Sequence, residues 1–245
     1  AIFLARRREV EQAASDWQSS GNNGLLIWGW ERQKPAIEAL CALGGIEAQH
    51  DPEFTDPGFH AWRALQGRLD EALRSFLRPE PLALLDELRQ DDTSPVRRED
   101  IGRRLNTLPD PRKGVGLDAR GVPDIAWETV DVPEGGAVVT LETDTLQQFR
   151  ISRSFRIARY PVTVAQYDCF VQAGGYTEKG WWTDAGWQWR ETQEIAGPER
   201  YREIFQTPNH PVVGVSWYET VAFCAWLSDV LGYPVQLPSE AQWER

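Results

Sequence analysis

The sequence predicts an α+β protein, with a helical region over residues 1–107, a linker over 108–127 and a mixed domain over 128–245. Three observations lead to this division. Apolar residues recur at helical spacing through the first hundred positions. Pro and Gly then interrupt every period in LPDPRKGVGLDARGVPDIAW, between Leu108 and Trp127. Beyond it, short apolar runs give way to capped helix starts, the order expected of strands followed by helices.

In the helical region, Phe3, Val10, Ala14 and Trp17 form one stripe, closed by the breaker SSGNNG at residues 19–24. Ile37, Leu40 and Cys41 form a second, expected to start at Pro35 and to stop at Gly44 and Gly45. Phe59, Trp62, Leu65, Leu69, Leu73 and Phe76 predict a single longer helix. Pro79 and Pro81 separate it from a shorter one carrying Leu82, Leu85 and Leu88. Ser94 and Pro95 are an N-cap and first-turn pair for one more helix, through Leu105.

In the mixed domain, residues 138–141 (VVTL) and the positions Phe149, Ile151, Phe155 and Ile157 predict short strands. Thr163 with Gln166, Ser216 with Glu219, and Ser239 with Gln242 each have the spacing of a capping box, in which two side chains satisfy otherwise orphaned helix N–H groups. The first two helices are expected to end at Gly174 and Gly175 and near Gly232. The third reaches Arg245 after six residues, about half an average helix. Residues 128–245 are therefore expected to be the N-terminal half of a domain in a longer polypeptide. The absence of Met, where about five would be ordinary, points the same way.

A net charge of −11 argues against general nucleic-acid binding and against docking on anionic membranes, since both need basic surfaces. The same charge disfavours reading the helix pair between Leu82 and Leu105 as a DNA-binding helix-turn-helix. The triplet Arg6, Arg7, Arg8 sits beside Glu9 and Glu11 and reads as a solvated helix face. Cys41, Cys169 and Cys224 lack C-x-x-C spacing and are odd in number, so reduced thiols and a cytoplasmic setting are expected. No run approaches the length needed to span a bilayer. His50, His60 and His210 are isolated, with His60 on the polar side of its stripe, and suggest no metal site. Asp51, Glu53 and Asp56 lack the Gly and terminal Glu of a calcium loop and read as loop acids favouring the following helix dipole. Six of the twelve Trp, at 181, 182, 187, 189, 217 and 226, are too dense for all to be fully buried, because each indole N–H needs a partner. Some are candidates for a ligand-facing aromatic surface.

Residues 160–167 (YPVTVAQY), 211–217 (PVVGVSW) and 237–240 (LPSE) together resemble the opening of a formylglycine-generating-enzyme, or sulfatase-modifying factor, domain, over roughly residues 120–245. The resemblance implies a fold related to C-type lectins. It also implies a cysteine pair that works with copper and oxygen in the family's C-terminal half, with structural calcium sites mostly there too, so copper or calcium is expected only through that half. The matching motifs are scaffold motifs, and no catalytic, ligand-binding or metal residue is assigned from them; Val164 stands where many relatives have Asn. The opening residues 1–26 also resemble the helical segment after the ATPase and winged-helix parts of STAND-type signalling NTPases, but no Walker motif is present.

One scaffold of this kind hosts several functions. The leading expectation is a ligand-binding module that recognises a protein or peptide, as in the variable proteins of diversity-generating retroelements. The alternative is a formylglycine-generating-type oxidase acting on a protein cysteine. A second alternative is the sensor domain of a bacterial signalling NTPase.

Overall fold

A Gln side chain and a Glu side chain, far apart in sequence, organise the first helical unit. A computed structural model of the chain describes residues 8, 10, 12, 29–49, 56–142 and 146–245. It divides into two units, Ala1–Arg112 and Lys113–Arg245. Of the first predicted stripe, Val10 is helical and buried. Phe3, Ala14, Trp17 and the breaker after them lie outside the described residues, as do the first two members of the Arg triplet, His50, Asp51 and Glu53.

Helix α1 runs Trp30–Leu43 and so begins five residues before the expected start at Pro35, which lies inside it. Its N-cap Gly29 offers no side chain; the Glu80 carboxylate instead accepts from the Trp30 amide at 2.8 Å. A tertiary cap has replaced the local one that the sequence lacks. Gln33 is buried and ties three segments together. Its Nε2 donates to the carbonyls of Phe76 and Arg78 at 3.2 and 2.9 Å, and its Oε1 accepts from the Glu80 amide at 2.8 Å.

The single helix predicted from Phe59 to Phe76 is in fact two. Helix α2, Pro57–Leu65, is followed by a 3-10 turn at Gln66–Arg68, an extended Leu69, and α3, Glu71–Phe76. Asp70 caps α3 by accepting from the Leu73 amide at 2.8 Å, so a short polar side chain diverts the backbone where apolar spacing alone reads as continuous. Asp56 is more than a solvated loop acid: it caps α2 through the Gly58 amide at 2.7 Å and pairs with Lys34 at 3.0 Å. Trp30 stacks on Phe59 with centroids 4.8 Å apart. A Cβ on Gly58 would sit 2.7 Å from the Trp30 ring, so glycine is what lets the two helices approach there. His60, expected on the polar side of its stripe, is buried, in a helix that packs against α1.

Helices α4 (Glu80–Leu88) and α5 (Pro95–Leu105) complete the unit, each with Pro in its first turn. Ser94 caps α5, and Arg97 holds Glu87 through two bonds of 2.7 and 2.9 Å. Ile37, Phe59, Leu77, Ile101 and Leu105 are almost wholly enclosed and form its core.

In the second unit, the strands are β1 (Trp127–Val130), β2 (Ala137–Glu142), β3 (Leu146–Ile151) and β4 (Phe155–Ala158). They form two antiparallel ribbons, β1 with β4 and β2 with β3, with Trp127 opposite Ala158 and Val139 opposite Phe149. The helices are α6 (Val164–Gln172), α7 (Asp184–Thr192), α8 (Trp217–Leu231) and α9 (Glu240–Glu244). All three predicted capping boxes are formed reciprocally, and Gly232 closes α8 with φ 74°. Helix α9 places Ala241 on Val139, Leu141 and Ile151.

The stretch predicted as a linker is divided between the units. Leu108 belongs to the first core, whereas the residues after Arg112 fold onto α6. Gln166, with no exposed surface, points its Nε2 at the carbonyls of Gly114, Gly116 and Asp124 at 3.2, 3.1 and 2.6 Å. Thr163 Oγ1 donates to the Val115 carbonyl at 2.8 Å. A segment that lacks periodicity is thus ordered by the capping residues of a helix some fifty positions later.

Candidate functional site

The aromatic core of the second unit carries a polar line through its centre. Glu219, as the third residue of α8, accepts from the Ser216 amide at 2.7 Å with Oε2. Its Oε1 accepts from the Tyr176 hydroxyl at 2.6 Å. The Tyr176 and Tyr167 hydroxyls lie 3.1 Å apart. Tyr176 spends its one proton on Glu219, so Tyr167 donates to Tyr176. All three residues are buried, and burial, more than any charge, pushes both phenols well above the ordinary tyrosine range and keeps them as donors.

Tyr167 also forms part of the wall of a cleft of about 520 Å³. The cleft runs between β4, the segment 160–162, α8 and the segment 234–238, with Gln242 and Trp243 of α9 at its margin. Phe155, Val162, Phe223, Leu227 and Val235 make it largely apolar. Trp243 is 68% exposed. Arg156 lies over the Trp127 and Tyr233 rings, 5.9 and 5.4 Å from their centroids, and the Trp127 indole N–H donates to the Tyr233 hydroxyl at 2.8 Å.

A second groove, of about 540 Å³, is bordered by Asp168, Val171, Arg200, Tyr201, Phe205 and Val213. Burial pushes the Asp168 carboxyl up, partly offset by Arg200.

The cysteines are not brought together as a reactive set. Cys41 donates to the Ala61 carbonyl at 3.3 Å in the first unit. Cys169 lies within hydrogen-bonding reach of the Ala165 and Gly121 carbonyls. Cys224 lines the cleft, and burial pushes its thiol up to about 11. Burial likewise raises Cys41 and Cys169. Burial thus disfavours the thiolate form of all three. Among the described residues no three His, Cys, Asp or Glu side chains converge. The copper centre implied by the family resemblance is expected only through the family's C-terminal half, and no described residue is assigned to it. His60 and His210 lie in different units, and the His210 Nδ1 is 2.6 Å from the Pro211 carbonyl.

The six clustered Trp divide as indole chemistry requires. Trp182 and Trp226 are buried, with the Trp182 N–H on the Gly175 carbonyl at 2.7 Å. The Trp181 N–H reaches Asp229 at 2.9 Å. Trp217 is 63% exposed and meets Tyr218, which in turn packs on Trp189. The Tyr167–Tyr176–Glu219 line and the role of Arg156 carry no signal in the sequence. Glu219 is legible there only as a cap, and nothing local marks its second oxygen as a buried acceptor.

Comparison with known proteins agrees with the motifs. The family model for the sulfatase-modifying factor enzyme 1-like domain matches residues 121–245. The hercynine oxygenase of Mycobacterium tuberculosis is 33% identical over 103 residues, covering 38% of this chain and 23% of that protein. That of Mycolicibacterium smegmatis is 32% identical over 151 residues, covering 54% and 34%. The formylglycine-generating enzyme of Thermomonospora curvata is 31% identical over 119 residues, covering 37% and 36%. The chain thus spans between 23% and 36% of the length of these relatives. With a match over half its length and the scaffold motifs folded as capped helices, the chain belongs to the sulfatase-modifying factor enzyme family.

Proposed function

We propose that the polypeptide carrying this chain is an oxidative enzyme of the family, an oxidase or oxygenase, and that residues 113–245 serve it as scaffold and as one wall of its substrate cleft. The observation that carries this reading is the pairing of the family match with relatives named as hercynine oxygenase and formylglycine-generating enzyme. It puts the enzyme reading ahead of the ligand-binding one. The chemistry is assigned to no described cysteine: Cys41 donates to the Ala61 carbonyl, Cys169 lies within reach of the Ala165 and Gly121 carbonyls, and burial disfavours the thiolate of all three.

Dioxygen uptake tests it, with a cysteine-containing peptide and, separately, hercynine as candidate substrates, and with first-row transition metals supplied. Uptake with loss of one substrate by mass spectrometry is the expected result. A folded polypeptide that carries this chain together with the family's C-terminal half and consumes neither overturns this reading.

A further inference from the structure

Residues 113–124 form a loop whose backbone bonds close on itself. The Gly114 amide donates to the Asp124 carboxylate at 2.9 Å, and the Asp124 amide to the Gly116 carbonyl at 3.0 Å. The Asp118 and Gly121 amides donate to the Val122 and Asp118 carbonyls at 2.8 and 2.9 Å. Two side chains of the α6 capping box fasten this loop to the helix. Thr163 Oγ1 accepts from the Gln166 amide and donates to the Val115 carbonyl. Gln166 Oε1 accepts from the Thr163 amide at 3.0 Å, while its Nε2 faces the carbonyls of Gly114, Gly116 and Asp124. An amide nitrogen carries two protons, so it serves at most two of those three carbonyls fully. Thr163, Gln166 and Val115 are already buried by the described residues alone.

A loop with internal backbone bonds, held by side chains from one helical turn, can leave as a unit with its own bonds intact. Burial of Val115 and Pro123 opposes this and makes the fastened state the ground state. Leaving strips Gln166 Nε2 of its buried partners and frees both side chains that cap α6. Tyr167 follows Gln166 directly, and its hydroxyl enters the buried line to Tyr176 and Glu219. At the far end of the loop the Ala126 carbonyl accepts from the Arg159 amide at 2.8 Å and is anchored. Its near end, Lys113, is the first residue of the second unit and is joined to the last residue of the first.

We propose that residues 113–124 are a releasable strap, latched by Thr163 and Gln166, whose engagement sets the first turn of α6 and, through Tyr167, the buried polar line. A pull on the chain at Lys113 thereby reaches the core of the second unit.

Site-resolved hydrogen exchange of the 245-residue chain under native conditions, with urea raised in small steps, tests this. The amides of Asp118, Gly121, Asp124, Gln166 and Tyr167 are expected to open together, at lower urea than those of α8. Gln166→Glu keeps the acceptor that caps α6 but turns a carboxylate oxygen toward the loop carbonyls. Gly114→Ala places a Cβ 2.6 Å from that of Ala126 and leaves α6 unaltered. Each is expected to speed the shared opening roughly tenfold, the effect of losing one net hydrogen bond, with α8 unchanged. Three results overturn the proposal: a loop that opens only together with α8, loop exchange unaltered by Gln166→Glu, or a Gly114→Ala protein in which the loop amides speed up and those of Gln166 and Tyr167 do not. The first is read on the unaltered protein, so it decides the matter even where a variant does not fold.

Discussion

The Tyr176 hydroxyl donates to Glu219 at 2.6 Å inside the aromatic core of the second unit, and that one bond lets a helix-capping carboxylate be buried. Glu219 would otherwise leave one oxygen unsatisfied away from water, at a cost that exceeds the value of the cap. The capping box of α8 and the packing of the segment around Tyr176 are therefore energetically linked.

Tyr176→Phe removes the donor to Glu219 and the acceptor for Tyr167, leaving two buried polar groups short of a partner. It is expected to lower stability by about 2–3 kcal/mol in urea unfolding. Tyr167→Phe in addition should cost less than the sum of the two single changes, because the group it removes is already orphaned. Additive costs would mean that the two hydroxyls are not coupled.

Cys224 makes stability depend on pH in the alkaline range. Burial raises its thiol from an ordinary 9.0 to about 11, so the folded state holds a proton that the unfolded state has already lost between those values. Stability is then expected to fall as pH rises from about 9 to about 11, by up to about 1.4 kcal/mol per pH unit, with no contribution from this group below that window. Cys224→Ala should remove that part of the slope, read as the difference between the two proteins' unfolding curves. At about pH 8, alkylation of Cys224 should be slower in the folded protein than in urea.

Gln166 holds the segment after Lys113 to α6. Gln166→Ala removes the buried donor shared by the carbonyls of Gly114, Gly116 and Asp124, of which Gly116 keeps the Asp124 amide, and deletes half of a capping box. The expected loss is about 2–3 kcal/mol. Trypsin cleavage after Lys113 and Arg120 should speed up in the variant, as read by limited proteolysis. An unchanged cleavage rate would mean that this segment is held by other contacts.

Local signals make much of the fold legible in the order of residues alone. Ser and Thr three residues ahead of Glu or Gln mark the starts of α6, α8 and α9, because the atoms that satisfy a helix terminus lie within one turn of it. Ser94 followed by Pro95 marks α5 in the same way. The family motifs identify the scaffold because they contain these caps. That some of the clustered Trp are exposed, as Trp217 is, while others, such as Trp182 and Trp226, are buried follows from the number of indole donors that need partners, though not which would be which.

What only the tertiary structure decided involves partners distant in sequence. Helix α1 begins at Trp30 because Glu80 caps it from fifty residues away. The residues after Arg112 are ordered because Gln166 reaches back to them, and Glu219 is buried because Tyr176 arrives to meet it. His60 is buried although its helical spacing places it on the polar side of its stripe. A cap or a turn is written within about four residues and can be read there. A buried polar atom depends on which segments meet, and that is set by the packing of the whole unit.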